Sequence, residues 1–166
     1  NGKKTNLDEI LEFVKETKPL NPIFVDCTAS YDLPERYLDV FKAGMSIATP
    51  NKRANSMSME FYHKLRETAN EMHVRFLYET NVGAGLPIID TLQNLFKSGD
   101  KLTGFNGIMS GSLSYIFGKL DEGKKFSEAV LEAKELRYTE PDPRDDLKGT
   151  DVARKALIIA REAGMS

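Results

Sequence analysis

The chain has no tryptophan, one cysteine and two histidines in 166 residues. The single cysteine, Cys27, excludes an internal disulfide and suits a reducing cytoplasm. His63 and His73 lack carboxylate or cysteine neighbours at ligand spacing, which argues against a zinc centre. No apolar run approaches the ~20 residues of a bilayer-spanning helix, and no signal peptide opens the chain. Neither sign of charge dominates: 23 Lys and Arg stand against 25 Asp and Glu, a net charge of −2. A nucleic-acid surface wants a basic face, so neither nucleic acid nor a membrane is expected as a partner. There is no low-complexity tract and no repeat. Also missing is the G-x-G-x-x-G turn that opens a complete dinucleotide-binding domain. Gly83-Ala84-Gly85 lacks the third glycine and lies too far along the chain.

What is present suits one globular domain, or one domain with an incomplete neighbour: 40% hydrophobic and 29% charged residues. Asn6 can cap a helix bearing Leu7, Ile10, Leu11, Phe13 and Val14, with Pro19 and Pro22 ending it. Strands are predicted at 23–26, 46–48 and 74–78. Helices are predicted between them at 33–42, closed by Gly44, and at 56–72. Short connections and crossover helices imply parallel strands, whose ligands bind at the carboxyl ends. All three strands run into polar, turn-prone sequence: 26–30, 49–52 and 79–81. These fit either one ligand-binding rim or three ordinary strand-to-helix turns.

Beyond residue 81, Asn-Val-Gly-Ala-Gly-Leu-Pro precedes a predicted helix at 88–96. Carbonyls of such a loop, with Glu79 nearby, fit a hard cation, and they fit a plain turn equally. A glycine-interrupted strand is predicted at 102–109. Ser110-Gly111-Ser112 then starts a helix at 113–120, as an N-cap or as a carboxylate site. A further helix at 127–136 places Ala129, Val130, Ala133 and Leu136 inward. The stretch 138–155 follows, and the rest of the chain is organised around it. Pro141 and Pro143 stiffen an acidic loop. Asp151 and Lys155 then share one face of a helix at i, i+4. Such a pair is either a solvated ion pair contributing a few tenths of a kcal/mol or part of a polar site. The apolar flank, Val152, Ala153 and 156–159, half-buries that face. A lysine held there can exchange protons.

Four motifs occur in order: Thr-Pro-Asn-Lys at 49–52, Asn-Val-Gly-Ala-Gly-Leu-Pro at 81–87, Ser-Gly-Ser-Leu-Ser-Tyr-Ile at 110–116, and Tyr-Thr-Glu-Pro-Asp-Pro-Arg-Asp-Asp-Leu at 138–147. With Gly149, Asp151 and Ala153-Arg154-Lys155 they resemble homoserine dehydrogenase. The wording between them is most similar to the dehydrogenase half of bifunctional aspartokinase/homoserine dehydrogenases. The resemblance covers nearly the whole chain from about Asn21 onward.

The resemblance implies an α/β fold: the second half of a Rossmann-type nucleotide-binding domain at 1–79, joined to part of an α+β substrate and dimerisation domain at 80–166. It implies a cytoplasmic oxidoreductase interconverting L-homoserine and L-aspartate 4-semialdehyde, with NADP or NAD, in threonine and methionine synthesis. Carried over by position, Lys155 matches the acid/base lysine and Lys52 a lysine lining the gap between nicotinamide and substrate. Glu140, Asp146 and Asp151 match substrate ligands for the amino group. Thr28, Ala29, Thr49 and Lys52 match cofactor contacts. Glu79, Val82, Ala84 and Leu86 match positions that hold a monovalent cation, sodium or potassium, mostly through carbonyls. The family is expected to form homo-oligomers. Without the Gly-rich turn, weak or no turnover is expected of this chain alone. The alternative is a non-catalytic fragment that binds an amino acid or self-associates. One residue departs from the pattern: Arg137 stands where the family usually has glycine.

Overall fold

The structure is a computed structural model and describes residues 6–165. The chain divides into two compact units. The first ends at Asp90, and the second spans Thr91–Met165.

In the first unit, α1 (Leu7–Thr17) starts where the Asn6 side chain accepts the Asp8 N–H. It ends earlier than the prolines require. Lys18 turns left-handed, and its N–H returns to the Val14 carbonyl. Strands β1 (Ile23–Val25), β2 (Ser46–Ala48) and β3 (Phe76–Leu77) form one parallel sheet in that order. Ile23 lies opposite Ser46, and Ile47 opposite Phe76. The first crossover is a 3-10 turn, Leu33–Arg36, running into α2 (Tyr37–Lys42), where one helix was expected. The second is also in two pieces, α3 (Arg53–Ser56) and α4 (Met59–Glu71). Met57 is extended between them, and the Ser58 hydroxyl caps α4 by accepting the Phe61 N–H at 3.2 Å.

Side chains alternate across a strand, so Phe24, Ile47 and Phe76 share one sheet face. That face packs on Leu11, Val14, Tyr37, Val40, Phe41 and Leu65. The Phe76 ring meets Tyr37, Phe41 and Tyr78 at centroid distances of 6.0, 5.7 and 4.8 Å. On the opposite face Ile23, Val25 and Leu77 remain 58%, 62% and 48% exposed. Parallel sheets are ordinarily covered on both faces. After β3 come a 3-10 turn, Glu79–Asn81, and helix α5 (Ile88–Lys97).

The second unit contains α6 (Gly111–Asp121), α7 (Phe126–Glu135), α8 (Pro143–Leu147) and α9 (Thr150–Glu162). Ile116, Ala129 and Ala133 form a small core, with Val130 and Leu147 against it. Leu136, expected inward, is half exposed, because α7 stops at Glu135 and the chain turns left-handed at Arg137. The expected strand at 102–109 does not form. A strand needs a neighbour for its N–H and C=O groups, and no described segment pairs with this run. No helix among the described residues is long and apolar enough to cross a membrane.

Candidate functional site

The three strand ends of the first unit form one hydrogen-bonded rim. Asp26, just past β1, is buried, and its carboxylate accepts the Tyr37 hydroxyl at 2.5 Å and the Thr28 N–H at 2.8 Å. Thr49, just past β2, donates its hydroxyl to the Asp26 carbonyl at 2.9 Å and accepts the Asn51 N–H at 2.9 Å. Asn51 reaches back to the Ser30 carbonyl at 3.0 Å. β3 is tied in by a directed relay. The Arg66 guanidinium donates to Asn55 Oδ1 at 3.2 Å, Asn55 Nδ2 to Asn81 Oδ1 at 3.0 Å, and Asn81 Nδ2 to the Thr49 carbonyl at 3.0 Å. Arg66 also lies over the Tyr62 ring and donates to the Tyr78 hydroxyl at 2.8 Å. Buried polar groups are costly when unsatisfied. Here they satisfy one another and fix the loops rigidly. Burial first, and then the Asp26 hydrogen bond, push the Tyr37 phenol well above its ordinary pKa.

Sequence reasoning placed Asn81 in the rim but missed Tyr37, Asn55 and Arg66. The available signal was a polar residue on an apolar helix face, as with Tyr37 beside Val40 and Phe41. Of the residues it did single out, Thr28 and Ala29 are exposed on the loop after β1. Lys52 is half buried at the start of α3. Thr49 is different. Its hydroxyl, its N–H (to Leu77) and its carbonyl all bond inside the protein. It holds the rim together and has no polar group facing outward.

Glu79 also has a local role. Its two carboxylate oxygens accept the N–H groups of Ile89 and Asp90, each at 2.8 Å, at the start of α5. A carboxylate there satisfies orphan donors and complements the helix dipole. Between them Val82 is buried, Leu86 is exposed and Ala84 has φ 52°. Gly83 has φ 81°, and a Cβ there would meet Ile88 Cγ1 at 2.5 Å, so only glycine fits. No cluster of three or more His, Cys, Asp or Glu side chains able to hold a metal occurs among the described residues. A cation at this loop would depend on carbonyl oxygens, with the Glu79 carboxylate committed to α5.

The second unit holds a cavity of about 740 Å³ whose walls include Ser112, Tyr138, Asp146, Asp151 and Lys155. The sequence-predicted residues Asp146, Asp151 and Lys155 are therefore together. Lys155 projects from α9, and its Nζ lies 2.7 Å from Asp151 Oδ2 and donates to the Met109 carbonyl at 2.8 Å. The lysine side chain is only 19% exposed while its partner is half exposed. Such a pair adds less than about 1 kcal/mol to stability, yet it aims the amine. Asp146 accepts the Ser112 hydroxyl at 2.7 Å and the Glu140 N–H at 2.8 Å. It thereby ties the acidic loop to α6, which begins at the Ser110 N-cap. The Glu140 side chain is exposed. The loop is stiffer than proline alone would make it. Asp142 caps α8, and the Arg144 guanidinium and N–H hold its carboxyl down to about 2. Edge-on packing of Tyr115 against Tyr138, 4.9 Å between centroids, supports the loop from α6.

An amine aimed into a polar cavity beside carboxylates suits a small zwitterion whose hydroxyl exchanges a proton. Residues 2–79 match the model described as the NAD-binding domain of homoserine dehydrogenase, and residues 87–166 match the model described as homoserine dehydrogenase. The chain is 53% identical over 161 residues to the bifunctional aspartokinase/homoserine dehydrogenase of Haemophilus influenzae, covering 97% of this chain and 20% of that one. A crystal structure of a Candida auris protein of unknown function superposes with a TM-score of 0.91 at 43% identity, over 98% of this chain and 47% of the other. A hyperthermophilic archaeal homoserine dehydrogenase in complex with NADPH superposes with a TM-score of 0.73 at 32% identity, over 92% and 46%. The chain thus spans about a fifth of the curated bifunctional relative and about half of each of these solved chains.

Proposed function

Because this chain belongs to the homoserine dehydrogenase family, we propose that it carries the substrate-side core of an enzyme that interconverts L-homoserine and L-aspartate 4-semialdehyde. The observation that carries this reading is Lys155, held between Asp151 and the Met109 carbonyl on the wall of a polar cavity. Oxidising an alcohol requires a group to take the hydroxyl proton, and the Lys155 amine does so; in reverse its ammonium returns it. Asp151 aims Lys155. Glu140 receives the substrate ammonium, and Asp146 holds the loop that presents Glu140.

A bound nicotinamide nucleotide, NADP or NAD, supplies the hydride acceptor. The rim fits its nicotinamide end. Thr28 and Ala29 are small and exposed, Lys52 supplies a cation, and Thr49 fixes the loop beneath. We assign 1–79 to the nucleotide-binding part and 80–166 to the substrate part, in keeping with family-model matches that end at 79 and resume at 87. A sodium or potassium ion at Glu79, Val82, Ala84 and Leu86 would be held by carbonyls. The assignment to threonine and methionine synthesis, in the cytoplasm and as a homo-oligomer, rests on the family.

The test is homoserine-dependent reduction of NADP+ at high protein concentration. Lys155→Ala should lower kcat by roughly a hundredfold or more, the usual contribution of a positioned acid or base. An unchanged kcat in that variant contradicts the role. A second reading, a non-catalytic piece that self-associates, is favoured by one observation, the exposed apolar sheet face at Ile23, Val25 and Leu77.

A further inference from the structure

The cavity of the second unit is lined by two cations, Arg137 and Lys155, and two carboxylates, Asp146 and Asp151. Three of the four are engaged. Lys155 pairs with Asp151, and Asp146 accepts from Ser112 and Glu140. The Arg137 guanidinium has no hydrogen-bond or ion-pair partner among the described residues. Its backbone makes the residue stranger still. Arg137 closes α7 with φ 59°, its N–H donating to the Lys134 carbonyl at 3.0 Å while the Tyr138 N–H donates to Ala133 at 2.9 Å. This is the left-handed helix end that glycine fills without strain. A side chain kept in a disfavoured conformation on a cavity wall is a sign of function.

Guanidinium matches carboxylate with two parallel hydrogen bonds. The start of α6, at Ser110 and Gly111, lines the same cavity and also favours an anion. We propose that Arg137 binds the substrate's carboxylate and so selects an α-amino acid over the corresponding amino alcohol. This rests on the proposed function, in which the same cavity takes a zwitterion whose ammonium goes to the acidic loop. Arg137 is thus a specificity residue on the lining of that cavity, three residues before Glu140.

Strain and binding give opposite signs in one substitution, which separates them. Calorimetric titration of the full chain, with NADP+ present, compares L-homoserine with 2-amino-1,4-butanediol, the same molecule with its carboxylate reduced to an alcohol. Wild type should prefer homoserine by about tenfold or more, the value of one charge-assisted contact. Arg137→Gly should lose that preference, bind the amino alcohol as wild type does, and melt at a higher temperature. Arg137→Lys should recover part of the preference. If Arg137→Gly binds homoserine as tightly as wild type while Glu140→Gln weakens both ligands, the inference fails and the proposed function stands. If wild type binds neither ligand, both fail.

Discussion

Tyr37 shows how one side chain can hold a site it never touches. Its hydroxyl bonds the buried Asp26 carboxylate at 2.5 Å and Thr49 at 3.2 Å, joining the ends of β1 and β2. Hydrogen bonds to charged groups contribute about 1.5–3 kcal/mol. Tyr37→Phe should lose stability in that range at neutral pH, measured by denaturant unfolding. The pH dependence has a definite sign. The folded phenol holds its proton to higher pH than the unfolded one. Its stabilisation is complete below the ordinary tyrosine value of about 10 and is lost as pH rises above it toward the folded value. Wild type should therefore lose stability above about pH 10 more steeply than Tyr37→Phe. Little of this was legible in the sequence. Lys155 and Asp151 could be paired by helical spacing alone, whereas Tyr37 and Asp26 meet only after the crossover folds. The strain at Arg137 was foreseeable from the resemblance, because the family usually has glycine there, and the residue has φ 59°.

At the scale of elements, local signals told the most where backbone chemistry decides. The parallel strands at 46–48 and 76–77, the Asn6 and Ser110 caps and the helix bearing Lys155 all follow from apolar period and capping residues. The predicted helix at 56–72 failed at its start because Ser58 caps α4 and leaves α3 separate. The strand at 102–109 failed for a tertiary reason, the lack of a pairing neighbour among the described residues. Glu79, expected beside a cation, anchors a helix. Glu79→Ala removes both acceptors at the start of α5 and should cost about 1 kcal/mol, as loss of a helix cap does. Glu79→Gln, which keeps a carbonyl acceptor, should cost less. Thermal melts of the two variants check this. Equal melting temperatures for wild type and Glu79→Ala would contradict the anchoring role.

At the scale of the whole molecule, the chain is two compact units, each carrying one set of polar residues: the rim past β1, β2 and β3, and the cavity around Lys155. The exposed apolar sheet face has its own consequence. Size-exclusion chromatography over a range of concentrations should show association that weakens in Val25→Lys, which places a charge on that face. A wild-type monomer at all concentrations would contradict the self-association reading. The proposed function requires that hydride pass, however slowly, between L-homoserine and a nicotinamide nucleotide on this chain. It is tested most directly by incubating the chain at high concentration with NADP+ and L-homoserine deuterated at C4, then weighing the reduced nucleotide by mass spectrometry. Label accumulates, so slow turnover suffices. One deuterium in the reduced nucleotide, with semialdehyde in equal amount, is the predicted result. Semialdehyde formed with an unlabelled nucleotide, or no label after prolonged incubation, would contradict it.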